Sequence, residues 1–210
     1  MHIHAFPAGP IETNAYLLTD AKRGEALLID APFGVWDEIE PTLQMTGCRL
    51  VALLVTHGHW DHIGEAARIQ ALGVPLHAHA ADRLLIEAPH VQSLFMIPGL
   101  TVEPAVIDVP LVDGQRLDIM GERIEVRHVP GHCPGNVLFY FASLGCAFVG
   151  DSLFNGGIGR TDLPLGSFKQ LEESIRARIY TLPAKTVIHP GHGPQTTVGA
   201  EMSGNPYVPA

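Results

Sequence analysis

Leu50-Val51-Ala52-Leu53-Leu54-Val55 runs directly into Thr56-His57-Gly58-His59-Trp60-Asp61-His62. Six apolar residues read as a buried strand, and the next seven hold three histidines, an aspartate and a threonine. From Ile63 to Leu72 apolar residues recur at helical spacing, ending at Gly73. A strand therefore delivers the chain to a loop of ligand-type side chains, and a helix is expected to carry it away. His57 and His59 stand two apart, so in an extended segment their rings point to one side. Asp61 and His62 follow as the backbone turns. Such a loop can serve two adjacent ions, because clustered imidazole and carboxylate are what first-row metals take.

Three further segments repeat the plan of strand, turn and ligand: Pro130-Gly131-His132, Val149-Gly150-Asp151 and Pro190-Gly191-His192. Loops at strand ends are where a rigid sheet carries chemistry. Around them the sequence predicts strands over 14–19 and 25–30, a helix over 34–46 stopped by Gly47, and a short strand over 74–78. His77 and His79 in the last read as structural or surface residues. A helical stretch is expected over 80–88. Residues 89–100 are apolar without a clear period, either core filler or a wall of the substrate pocket. Strands are expected near 105–109, 115–119 and 122–129, with His128 on a polar face and outside the site, and again over 136–141, 146–149 and 186–188. Residues 167–182 read as the clearest helix, with Ser167 as its cap.

At 210 residues the chain is expected to form a single domain, residues 1–210. Its formal charge of −9 and lack of a basic run argue against nucleic acid as partner. No apolar run approaches a membrane span and no signal peptide is read at Met1–Pro7, so neither a membrane partner nor export is expected. Three cysteines, Cys48, Cys133 and Cys146, read as free thiols of a reducing compartment, hence a cytoplasmic protein.

The stretch from His57 to His62 resembles the His-x-His-x-Asp-His signature of the metallo-β-lactamase superfamily, and the likeness runs from Asn14-Ala15-Tyr16-Leu17 to His192. It implies an α/β fold, a four-layer αββα sandwich. It also implies that His57, His59 and His132 hold one metal, that Asp61, His62 and His192 hold a second, and that Asp151 bridges both. Two divalent ions follow, with zinc expected and iron or manganese admitted by the N/O ligand set. An acidic bridging residue and Gly159-Arg160-Thr161-Asp162 resemble the short bacterial glyoxalase II-like (YcbL-like) hydrolases. A metal-bridging hydroxide, oriented by Asp61 as catalytic residue, would then attack a small-molecule thioester or ester. Arg160 would either anchor an anionic substrate or form a buried ion pair with Asp162.

Two features depart from that pattern. Cys133 stands where a threonine is usual, and residues 193–210 are too few for the helical glutathione-binding region of full-length glyoxalase II enzymes. The alternatives are a mononuclear iron persulfide dioxygenase using His57, His132 and Asp151, and a non-catalytic metal-binding scaffold. Oligomeric state is left open.

Overall fold

A computed structural model describes all 210 residues, which fold as two compact units, Met1–Pro110 and Leu111–Ala210. Each is built on one mixed sheet of six strands.

In the first unit the strands are β1 (His2–Ala8), β2 (Thr13–Asp20), β3 (Glu25–Ile29), β4 (Arg49–Leu54), β5 (Leu76–His79) and β6 (Val109–Leu111), adjacent in that order. β1 to β3 form an antiparallel meander, with Tyr16 opposite Ile29. β3, β4 and β5 are parallel. Parallel neighbours need a crossover, and α1 (Val35–Thr46) supplies the one between β3 and β4. It ends at Gly47, whose φ of 65° turns its amide back to the carbonyls of Leu43 and Gln44. Val35, Ile39 and Leu43 of α1 bury against Leu17, Leu28 and Leu53, together with Ala66 and Ile69 of α2 (Ala66–Gln70). A short helix α3 (Arg83–Glu87) follows β5 and a 3-10 turn.

In the second unit β7 (Arg116–Ile119), β8 (Glu122–His128), β9 (Val137–Phe141), β10 (Cys146–Gly150), β11 (Val187–Pro190) and β12 (Thr196–Thr197) are again sheet neighbours in chain order. Only β10 and β11 are parallel. Their crossover is α4 (Phe168–Ser174), continued by a π-helical turn, Ile175–Ile179. Leu171, Ile175 and Ile179 pack on Leu138, Ala147, Val149 and Ile188, joined by Val198 of the last helix, α5 (Val198–Gly204).

Most expected elements form, and Ser167 caps α4 as read, its hydroxyl accepting from the Gln170 amide. The differences lie where apolar pattern and burial part. The helix expected over 63–72 is reduced to Ala66–Gln70: residues 63–65 belong to turns and Leu72 is 56% exposed. Met45 and Phe168, apolar residues of α1 and α4, are exposed. The strand expected at 105–109 forms instead at Val109–Leu111. β1, β12 and α5 carried no sequence expectation. The three cysteines are buried and form no disulfide. No helix is long and apolar enough to cross a membrane.

Candidate metal centre

The ligand-type residues sit where the strands end. β4 stops at Leu54, three residues before His57; β8 stops at His128, four before His132; β10 ends at Gly150, next to Asp151; β11 ends at Pro190, two before His192.

In the first unit His57, His59, Asp61 and His62 are all buried. The His57 ring lies 4.0 Å from that of His62 and 4.8 Å from that of His59, centroid to centroid. His62 Nε2 is 3.2 Å from Asp61 Oδ2. The neutral imidazole is the form that binds metal.

Their tautomers follow from their neighbours. Asp30, buried at 2% exposure, accepts from the Thr56 amide (2.7 Å) and the Thr56 hydroxyl (2.8 Å), and lies 2.8 Å from His62 Nδ1. A carboxylate only accepts, so His62 Nδ1 carries the proton and Nε2 the lone pair. The single Thr56 hydroxyl hydrogen is committed to Asp30. His57 Nδ1, 3.1 Å from that oxygen, therefore donates too and leaves its own Nε2 as the electron-pair donor. Such bonds to the far nitrogen are what orient a ligating histidine. Asp30 does this from a left-handed backbone (φ 60°), which aspartate tolerates better than most residues.

The loop itself is braced from 82–92. Asp82 accepts from the Gly58 amide (2.8 Å). Gln92, fully buried, accepts from the Trp60 amide (2.9 Å) and donates to the Gly58 carbonyl (2.8 Å). A Cβ on Gly58 would meet Leu85 at 2.8 Å, so the fit needs glycine. Thr13 donates to Asp61 Oδ2 (2.8 Å). Within 89–100, Gln92 is thus a buttress, and Phe95 sets its ring edge-on 6.1 Å from His59, while Leu94 is 96% exposed.

In the second unit one oxygen of Asp151, Oδ2, is 3.6 Å from His132 Nε2 and 3.5 Å from His192 Nε2. Two ligands about 2.1 Å from a shared tetrahedral ion are roughly 3.4 Å apart. Asp151 therefore stands at ligand-sharing distance from two imidazoles on different segments. His132 Nδ1 donates to the Arg160 carbonyl (2.8 Å), fixing the same tautomer as in His57 and His62. Gly159 permits this: a Cβ there would lie 1.8 Å from the Asp151 carbonyl oxygen and 2.8 Å from His132 Nδ1. The Arg160 side chain forms a bidentate pair with Asp162, both bonds 2.8 Å. That pair holds the Asp162 carboxyl down at about 2. It is 60% and 70% exposed, so the buried ion pair considered from sequence does not form. His128 lies outside this cluster and donates to the Pro134 carbonyl. His77 is buried, which lowers its pKa, and His79 caps a 3-10 turn, so both are structural as read.

The profile described as Metallo-beta-lactamase superfamily matches residues 8–192. The chain belongs to that superfamily of metal-dependent hydrolases. It is 34% identical over 217 residues to the hydroxyacylglutathione hydrolase GloC of Haemophilus influenzae, covering 99% of this chain and 98% of that one. Among solved structures, BLEG-1 B3 metallo-beta-lactamase superposes with a TM-score of 0.91 at 35% identity, over the whole of both chains. TTHA1623 in a di-iron-bound form follows at 0.84 and 37%, over 97% of this chain and 99% of that one. The metallo-β-lactamase fold read from the His57–His62 signature is thereby confirmed. The residues that sequence missed are the ones that orient the candidate ligands: Asp30, Thr13, Asp82, Gln92 and Gly159. Only Gly159 carried a signal, as the neighbour of Arg160.

Proposed function

We propose that this chain is a binuclear metallo-hydrolase acting on a thioester or ester of a small acid, in the manner that the name of its relative GloC describes. His57, His59 and His132 would hold one ion, Asp61, His62 and His192 the other, and Asp151 would bridge them. The observation that carries the reading is the Asp151 carboxylate oxygen at matched distances from His132 and His192. Nitrogen and oxygen donors without sulfur suit zinc, iron or manganese, and zinc is the ion we expect.

When bound, the metals supply a water acidified toward neutral pH and a Lewis acid for the carbonyl. The protein's own part is orientation. Asp30, Thr56 and the Arg160 carbonyl fix three imidazoles with Nε2 as donor. Thr13 fixes Asp61, whose carboxylate would align the attacking water. A thiolate leaving group needs little protonation, since a thiol has a pKa of about 8.5. Arg160 would meet an anionic substrate group; its pair with Asp162 is exposed and screened by water, so exchanging that partner costs little.

The test is metal stoichiometry of protein purified without added metal, followed by a panel of acyl thioesters and esters. About two ions per chain and metal-dependent thioester cleavage are expected. A single iron per chain with oxygen uptake on a persulfide, or no metal-dependent hydrolysis, would sink the proposal.

A further inference from the structure

We propose that Glu201, on α5, is a positioning residue for the metal ligands of the second unit, acting through the loop 152–160; this rests on the binuclear reading above. Glu201 is 3% exposed, yet it lies near the end of the chain, 50 and 69 residues beyond Asp151 and His132. Burying a carboxylate is costly unless its oxygens are satisfied, and here both are, by the loop and its surroundings. One oxygen accepts from the Gly156 amide (3.0 Å) and from Asn205 Nδ2 (2.8 Å); the other accepts from the Thr196 hydroxyl (2.6 Å). Asn205, 1% exposed, donates from the same amide to the Gly157 carbonyl (3.0 Å). Asn155 in turn donates to the Gln195 carbonyl (3.1 Å). Glu201 and Asn205 therefore hold two segments at once: the tight Phe154–Gly157 turn and the stretch that follows His192.

That loop touches each of the three ligands. It starts immediately after Asp151. Phe154, at its turn, stands edge-on to the His192 ring, 6.0 Å between centroids and 86° between planes. At its far end Gly159 packs on the Asp151 carbonyl, and the Arg160 carbonyl takes the His132 Nδ1 proton. Releasing Gly156 and Gly157 frees the loop at its midpoint and loosens His132, Asp151 and His192 together.

The nature of the clamp dictates the variants. In Glu201→Gln the amide oxygen can accept from Gly156 and Asn205 while its NH2 donates to the Thr196 oxygen, so the clamp survives. In Glu201→Leu it does not. Metal-free protein is titrated with Zn2+ against a chromophoric chelator, and with Co2+ for its visible absorption, alongside urea unfolding of the metal-free forms. Glu201→Leu is expected to bind about 10–100-fold more weakly, the usual effect of removing a group that orients ligands, with an altered Co2+ spectrum. Glu201→Gln is expected to match wild type in both. If Glu201→Leu does not fold, Asn205→Ala carries the test, since it keeps the Glu201 bonds to Gly156 and Thr196; a smaller loss in the same direction is expected. Wild-type affinity and spectrum in the folded Leu or Ala variant would overturn the proposal and leave the binuclear reading standing, as would a Gln variant as weak as the Leu variant. A wild-type protein that takes up no metal would instead overturn the binuclear reading, and this proposal with it.

Discussion

Gly159→Ala tests how tightly the backbone beside the ligands is fitted. The added Cβ would sit 1.8 Å from the Asp151 carbonyl oxygen and 2.8 Å from His132 Nδ1. Non-bonded heavy atoms rest near 3.5 Å, so the first contact must open by about 1.7 Å. Neither side can yield alone. The oxygen is main chain, and His132 is bonded to the neighbouring carbonyl of Arg160 at 2.8 Å. The loop must move, and the Arg160 carbonyl then leaves hydrogen-bonding range of Nδ1. Overpacking of this kind costs about 1–3 kcal/mol of folding stability. Losing the orientation of one ligating histidine costs about 10–100-fold in metal affinity or activity. Unlike Glu201→Leu, the perturbation is a single methyl group beside the ligands. Chelator competition on the metal-free protein measures the affinity, and urea unfolding of the same samples measures the stability. A Gly159→Ala protein within twofold of wild-type affinity, at unchanged stability, would refute both the steric argument and the role given to the Arg160 carbonyl.

Asp30→Ala, which removes the acceptor shared by Thr56 and His62, should cost about 10–100-fold in metal affinity; an unchanged Zn2+ titration would dismiss the tautomer argument. Arg160→Ala should leave the urea midpoint essentially unchanged, because its ion pair with Asp162 is exposed, while KM for an anionic thioester rises and kcat holds; equal KM values would remove Arg160 from substrate binding. Metal removal should lower the melting temperature reversibly, since an ion that binds only the folded state stabilises it by mass action; calorimetry with and without chelator checks this. His189 is stacked on Phe148 at 4.6 Å, and burial pushes its pKa down to about 4. The unfolded chain therefore takes up the proton first as pH falls below about 6.5, and stability drops between there and pH 4 by up to about 3 kcal/mol. His189→Phe should lack that share of the slope, and a difference between the two proteins that stays flat from pH 7 to 4 would exclude it.

The candidate ligands were legible because their chemistry is local. Ligand-type side chains that stand just beyond a strand can be picked out locally, so His57, His132, Asp151 and His192 each announce themselves as candidates within three residues of an apolar run or a Pro-Gly turn. The β3–α1–β4 unit was legible for a similar reason: apolar runs bracket an amphipathic helix that ends at Gly47. Where apolar residues misled, the cause was exposure. Leu72 fits a helical stripe by spacing, yet it points to solvent, and spacing alone does not distinguish a stripe that meets a partner from one that runs past its edge.

The orienting residues were not legible, and their distance in sequence explains why. Asp30 acts 26 and 32 residues away on Thr56 and His62, Gln92 reaches back 32 residues to Trp60, and Glu201 reaches back 45 to Gly156. Each is an ordinary acidic or amide residue whose meaning comes only from what the fold brings beside it. The Gly159-Arg160 step is the sharpest case. Read by side chain, the segment is a candidate anion anchor; in the fold, what reaches His132 is its main-chain carbonyl, held there because position 159 has no side chain. A carbonyl has no residue type, so sequence can locate such a contact only indirectly, through the glycine that makes room for it. The same logic ranks the substitutions: Gly159→Ala should harm metal binding more than Arg160→Ala, although the arginine is the residue that draws the eye.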